Sequence, residues 1–172
     1  MTIEILPNGL QLLQSNEFQK LGQDSILLAA FAAPRRSARV LDLGCGTGAL
    51  ALSVYRPDLS LTGLDIQEGA VAFFRQSIAR NGVKIDAKVG DLREIGTIFP
   101  HGSFDYVVCN PPYFSEGLKS SNPQRNTIRH SDSLELDDLA KAAKFSLKYG
   151  GRLCICMPAF RLAYAINTLH VK

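Results

Sequence analysis

RVLDLGCGTGALALSVYR, residues 39–56, decides the fold. Arg39 to Gly44 is a short and nearly continuous apolar run, the mark of a strand buried on both faces. Gly48 to Arg56 carries the apolar spacing of a helix. Between them Gly44, Gly46 and Gly48 permit a tight turn and keep Cβ atoms away from an approaching ligand. A strand, a glycine turn and a helix in that order form the opening of a Rossmann-type unit.

The same alternation continues downstream. Leu59–Ile66 reads as a second strand, followed by a helix over 68–82 that Asn81-Gly82 closes. Lys84–Asp91 is a third strand with a short connection, and Ser103–Asn110 a fourth that runs into Pro111-Pro112. The polar stretch from Ser115 to Ser133 is too long for a routine connection, and loops of that length usually carry function. A helix follows from Glu135, stopped by Gly150-Gly151; Arg152–Pro158 is a fifth strand, and a helix runs from Phe160 to His170. Upstream, residues 3–14 hold two apolar runs around Pro7-Asn8-Gly9, a small hairpin. Asp24 then stands as N-cap to SILLAAFAA, a helix ending before Pro34. The expected fold is therefore α/β: a Rossmann-type open, mainly parallel, twisted sheet with helices on both faces, entered through a small N-terminal hairpin. One domain covers residues 1–172, with the hairpin and entry helix over 1–34 and the core over 35–172.

Composition fits that reading. Hydrophobic residues make up 46% and charged residues 20% of the 172, an ordinary globular balance. No stretch approaches the roughly 18 apolar residues of a membrane span, and Glu4 near the start argues against a signal peptide. Cys45, Cys109, Cys154 and Cys156 show no paired metal spacing; reduced, buried thiols in a cytoplasmic protein are expected, the last two on one strand face. A net charge of +3 is too small to imply a polyanionic partner by itself. Two basic groups, Arg35, Arg36 and Arg39, and Lys119, Arg125 and Arg129, read first as solvated loops.

In open α/β sheets the ligand binds beyond the carboxyl ends of the strands, and the chemistry-bearing residues fall there. Gly44, Gly46 and Ala49 also satisfy a dinucleotide fingerprint, so the loop alone is ambiguous. Asp42, before the glycines, would repel a pyrophosphate but suits a ligand with an ammonium and a sulfonium. S-adenosylmethionine has both. Asp65, ending the second strand beside Ile66, is placed to accept from ribose hydroxyls. Asp91, beside Leu92 at the third strand end, can meet an adenine amino group or cap the helix that follows.

The fourth strand ends in Asn110-Pro111-Pro112-Tyr113-Phe114. An exocyclic amine is a poor nucleophile because its lone pair is delocalised into the ring. Acceptors outside the ring plane favour a pyramidal nitrogen and free that pair. The Asn110 side-chain oxygen is one such acceptor. The Pro111 carbonyl is a second, stiffened by Pro112, and Tyr113 offers a face on which a flipped base stacks. Displacement at the sulfonium methyl needs no base to begin, so alignment and electrostatics carry the catalysis. His130 reads as a solvent-facing or phosphate-contacting residue rather than a base.

DLGCGTG, LDI, GDL and NPPYF, in that order and spacing, resemble the class I S-adenosylmethionine-dependent amino-methyltransferases. Ser115–Leu139 and the Gln23-Asp24-Ser25 entry look like the tRNA1(Val) (adenine-N6)-methyltransferase family. That resemblance implies adenine N6 in a tRNA anticodon loop as substrate, Gln23 and Asp24 as cofactor neighbours, and Arg125, Arg129 and Lys119 on tRNA phosphate. It also implies two further strands, so that the chain reads as truncated at its C-terminus with a strand pair missing. Other amine targets stay open: guanine N2 in rRNA, glutamine N5 in a release factor, or adenine in DNA. Outside the class stand an NAD-dependent oxidoreductase and a non-catalytic binding module.

Overall fold

The computed structural model describes residues 1–18, 20–111 and 136–170. Its centre is a sheet of β3 (Arg39–Leu43), β4 (Ser60–Asp65), β5 (Ile85–Val89), β6 (Phe104–Cys109) and β7 (Leu147–Ile155). Their order is β5-β4-β3-β6-β7, and each neighbouring pair is parallel. The chain lays down β3, β4 and β5 towards one edge, then returns to place β6 on the other side of β3. This reversal between β3 and β6 opens the crevice in which such sheets bind ligands.

Strand alternation splits the core into two layers. Val40, Tyr106, Val108 and Cys154 face a cluster shared with α1 (Gln23–Ala32), α2 (Ala49–Val54) and α3 (Glu68–Asn81). Leu41, Leu43, Val107 and Cys109 face the opposite cluster with α4 (Ile95–Ile98), α5 (Leu136–Ser146) and α6 (Leu162–His170). Each fully buried aliphatic side chain contributes roughly 1.5–3 kcal/mol, so an apolar run on a strand locks both layers at once. Cys154 and Cys156 pack against the first cluster together, as their spacing of two predicts, and the four thiols are unpaired. No described helix is long and apolar enough to cross a membrane.

Two sequence expectations need correction. Asp24 is not an N-cap: α1 starts earlier, capped by the extended backbone of Gly22, and Asp24 lies in the first turn. Its charge still suits the positive end of the helix. The helix expected to run to Gly150 stops at Ser146, and β7 begins at Leu147. The cause lies at Asp105. Leu147 pairs with Phe104, but the next match is Arg152 with Tyr106, so β7 bulges between them. Lys148 Nζ reaches the Asp105 carboxylate from that bulge at 3.1 Å. Gly151 fits because any Cβ there would come within 2.9 Å of the Lys148 carbonyl oxygen.

Arg35 joins the same carboxylate at 2.6 Å, and the Arg39 N–H donates to it at 2.9 Å. Arg39 also lies over the Phe104 ring, at 5.3 Å. These contacts, the Arg39 N–H first and then Lys148 and Arg35, hold Asp105 down at about 2 against the opposing effect of burial. Part of the first basic group therefore serves as a clamp at the amino end of β6, about 16 Å along the strand from Asn110.

The hairpin of β1 (Thr2–Ile5) and β2 (Gln11–Gln14) is antiparallel, with Thr2 opposite Gln14. It docks on α3 through the free edge of β2. Asn81 Oδ1 accepts from the Gln11 N–H at 2.8 Å, and its Nδ2 donates to the Gln11 carbonyl at 2.7 Å. Ser77 Oγ accepts from Leu13 N–H at 3.0 Å, and Asn8 Nδ2 donates to the Leu52 carbonyl at 2.8 Å. Helix side chains thus do for β2 what a third strand would do. Asn81→Ala strips both Gln11 groups of their partner and should cost about 2 kcal/mol. Urea unfolding would register this as a lower midpoint at unchanged slope; an unchanged midpoint would show that the hairpin edge is not held by Asn81.

Candidate active site

The register of the sheet sets the site. Leu43 pairs with Leu64, and Asp42 with Val108. Carried on past these last matched pairs, the same register would set Gly44, one residue beyond β3, beside Asp65 and Asn110, which stand at the ends of β4 and β6. The three form a row across the carboxyl ends of β4, β3 and β6, spanning about 10 Å at normal strand spacing. The sheet therefore brings the glycine turn, the second acidic residue and the asparagine side by side from three parts of the sequence.

Asp65 organises the turn. Its Oδ2 accepts from the Gly46 N–H at 2.7 Å and its Oδ1 from the Gln67 N–H at 2.8 Å. The N–H groups of Gly44 and Cys45 both reach the Leu64 carbonyl, at 2.8 and 3.1 Å. Gly44, Gly46 and Gly48 all have positive φ. A Cβ on Gly44 or Gly46 would meet nothing within 4 Å, whereas one on Gly48 would lie 2.0 Å from the buried Phe74 ring. Gly48 is thus required by packing as well as by conformation, and Gly44 and Gly46 leave open space on the ligand side.

Asp42 lies beneath this turn, 1% exposed, and its Oδ2 has no hydrogen-bond partner among the described residues. Burial pushes its carboxyl up from the ordinary 3.8 to about 8, opposed by the Ala51 N–H and helped by the charge of Asp65. Burial likewise raises Asp65, against the N–H groups of Gln67, Gly46 and Ile66. Cys45 and Cys109 are held well above their ordinary range, first by burial and then by the two carboxylates. Both stay neutral thiols and make poor nucleophiles. A buried carboxylate oxygen lacking a partner beside an open glycine turn calls for a cation, and a level second carboxylate has lone pairs left for hydroxyls. S-adenosylmethionine, with its ammonium, sulfonium and ribose, fits that donor and acceptor set.

The remaining sequence candidates fall as follows. Asp91 caps the short 3-10 turn Leu92–Glu94 by accepting from the Arg93 N–H at 2.9 Å, and Arg93 also pairs with its carboxylate. Ile66 is exposed just past Asp65, and Leu92 is half-buried. Gln23 and Asp24 are exposed on the first turn of α1. Asn110 Nδ2 donates to Ser25 Oγ at 3.0 Å, and Pro111 is half-buried beside it. Pro112, Tyr113, Lys119, Arg125, Arg129 and His130 lie outside the described residues. Ser25 was not a sequence candidate, although it is the polar residue on the buried face of α1, which it shares with Leu28 and Ala32. Phe18 is a second such surprise: its ring lies over Gly69, where a Cβ would come within 2.9 Å, and edge-on to Phe73 at 5.6 Å.

Residues 19–165 match the methyltransferase small domain family. The chain belongs to that family. Among curated relatives, the tRNA1(Val) (adenine(37)-N6)-methyltransferase of Bacteroides fragilis is 35% identical over 142 residues, 81% of this chain and 60% of that protein. The protein of the same name from Phocaeicola vulgatus is 35% identical over 159 residues, 89% of this chain and 68% of its own. This methyltransferase-family chain spans about 60% of the length of the first of these relatives. Solved structures agree in fold: Thermus thermophilus TrmN at a TM-score of 0.64 and 23% identity, over 84% of this chain and 40% of its own. Precorrin 8W decarboxylase of Methanobacterium thermoautotrophicum follows at 0.66 and 18%, over 93% and 77%.

Asp42 also yields a pH test of the ligand-free protein. Its folded-state value lies above its unfolded one, so its favourable contribution is complete below about 3.8 and is lost as pH rises through about 8. Denaturation midpoints should therefore fall between pH 5 and pH 8. Asp42→Asn, which cannot ionise, should flatten most of that fall, with Asp65 supplying the remainder. Parallel slopes for the two proteins would show that Asp42 is not the group responsible.

Proposed function

We propose that this chain is an S-adenosylmethionine-dependent methyltransferase acting on an exocyclic amine, namely adenine N6 in tRNA, within the anticodon loop. The observation that carries the reading is the row Asp65, Gly44 and Asn110 above the buried Asp42. Such a row would offer a cation-binding, ribose-accepting end next to an amide at the start of Asn-Pro-Pro-Tyr, which supports the reading. The names of the Bacteroides and Phocaeicola relatives support the choice of substrate.

The bound cofactor would supply an electrophilic methyl on a sulfonium. Asp42 and the glycine turn would hold its charged end, with Gln23 and Asp24 at the entry. Asp65, Ile66, Asp91 and Leu92 would line the nucleoside, with Asp65 accepting from ribose hydroxyls. Asn110 Oδ1 and the Pro111 carbonyl would accept the two N–H groups of the amine, turning its lone pair towards the methyl. The amine nitrogen would bond the methyl as the methyl's bond to sulfur breaks, become positively charged and then lose a proton to solvent, so no side chain would have to remove one beforehand. Tyr113 would stack on the unpaired base, with Pro112 stiffening its approach. Arg125, Arg129 and Lys119 would contact phosphates, each adding affinity and salt dependence.

The test is methyl transfer from labelled S-adenosylmethionine to unmodified tRNA, followed by digestion to nucleosides. N6-methyladenosine is expected, and Asn110→Ala should lower turnover at least about a hundredfold, far beyond any change in cofactor affinity. Label in guanosine or in a protein amide would retain the amine chemistry and overturn the substrate. Turnover that survives Asn110→Ala would remove the asparagine from the reaction.

A further inference from the structure

We propose that Ser25 is a positioning residue that aims the Asn110 amide at the substrate amine, an inference that rests on the amine-methylation reading above. The residues are 85 apart in sequence, yet Asn110 Nδ2 donates to Ser25 Oγ at 3.0 Å. Ser25 is 6% exposed, and it shares the buried face of α1 with Leu28 and Ala32. A lone hydroxyl on that face costs free energy unless it is hydrogen-bonded, and the partner it has is the asparagine that begins Asn-Pro-Pro-Tyr.

The chemistry gives that bond a purpose. An asparagine amide has an accepting end and a donating end, and a half-turn exchanges them. Presented with Nδ2, the amine would meet donor against donor. Presented with Oδ1, it finds the acceptor that frees its lone pair. Ser25 engages the Nδ2 end, which fixes that end of the amide and with it the disposition of Oδ1, the acceptor that the amine-methylation reading uses. A serine hydroxyl can donate as well as accept, so the bond restrains the position of the amide and the incoming N–H completes the choice of orientation.

The restraint is transmitted from the N-terminal unit. Gln14, at the end of β2 and 2% exposed, accepts from the Leu21 N–H at 3.1 Å and is itself bonded to Glu4. The next residue, Gly22, caps α1 and accepts from the Ser25 N–H at 3.2 Å. Hydrogen bonds and the backbone from Leu21 to Ser25 therefore together link the hairpin through the start of α1 to Asn110. The entry helix is part of the catalytic machinery through Ser25, in addition to any cofactor contact made by Gln23 and Asp24.

Two measurements on the 172-residue chain test this. In steady-state methyl transfer, Ser25→Ala should lower kcat about tenfold. KM for tRNA and cofactor Kd should stay within about twofold, since the amide acts on the reacting nitrogen rather than on binding. Ser25→Thr keeps the hydroxyl and should recover to within about threefold of the original. In nuclear magnetic resonance, the Asn110 side-chain amide proton bonded to Ser25 should move to the position of an exposed asparagine amide and exchange faster with solvent in Ser25→Ala, a readout independent of turnover. An unchanged kcat, a parallel loss of cofactor affinity, or a threonine variant no better than alanine at equal melting temperature would each overturn the assignment. If Ser25→Ala melts below the assay temperature, Ser25→Cys, similar in size with a weaker hydrogen bond, carries the same comparison. If the original chain methylates no amine, the amine reading falls separately. The signals then decide the Ser25 bond: a shifted, faster-exchanging amide proton in Ser25→Ala retains it, and unchanged signals overturn it.

Discussion

The carboxylate of Asp65 holds the ligand end of the molecule together. It ends β4, yet its two oxygens accept from Gly46 on the first glycine turn and from Gln67 at the start of α3. Two connections, the glycine turn after β3 and the join from β4 to α3, are tied at one residue. Without them the turn after β3 would have a half-buried backbone N–H lacking its partner, at a cost of about 1 kcal/mol. Gly48 could not be relied on to seat against Phe74. The level row of Gly44, Asp65 and Asn110 follows from parallel register, but its usable shape follows from that carboxylate.

The two ends of the sheet divide the charged residues between different tasks. At the amino end Asp105 is ionised, held low by the Arg39 N–H, Lys148 and Arg35, and it stabilises the bulge that starts β7. At the carboxyl end Asp42 and Asp65 are pushed the other way by burial. Asp42 has no compensating cation among the described residues, a cost that a bound cationic ligand would offset. The same residue type thus stabilises one end and prepares the other for a ligand, the difference being access to positive charge.

The N-terminal unit has an unusual standing for a peripheral hairpin. Its outer strand is exposed, and its inner strand is satisfied by Ser77 and Asn81 of α3 rather than by a sheet neighbour. Phe18 then packs over Gly69 next to the Asp65 turn, and α1 reaches Asn110. Peripheral position and central influence coexist because hydrogen bonds, not burial alone, connect the hairpin to the strand ends.

The sequence by itself determined the layer architecture, because continuous apolar strands alternating with amphipathic helices have one economical arrangement, a covered parallel sheet. It also determined that Asp42, Gly44, Asp65 and Asn110 stand at or next to the ends of apolar runs, with Gly46 and Gly48 in the turn that follows the first. Tertiary structure alone decided their relations. Register, carried past the last matched pairs, would set Gly44 beside Asn110, 66 positions later, and no local pattern encodes that placement. Ser25 was hidden because a single serine in SILLAAFAA has no signature until Asn110 arrives beside it. The early start of β7 was hidden too: Gly150-Gly151 reads as a helix stop, whereas the pairing of Leu147 with Phe104 and the contact of Lys148 with Asp105 join residues far apart in sequence. Local chemistry chose the elements; contacts between distant residues chose their ends and their partners.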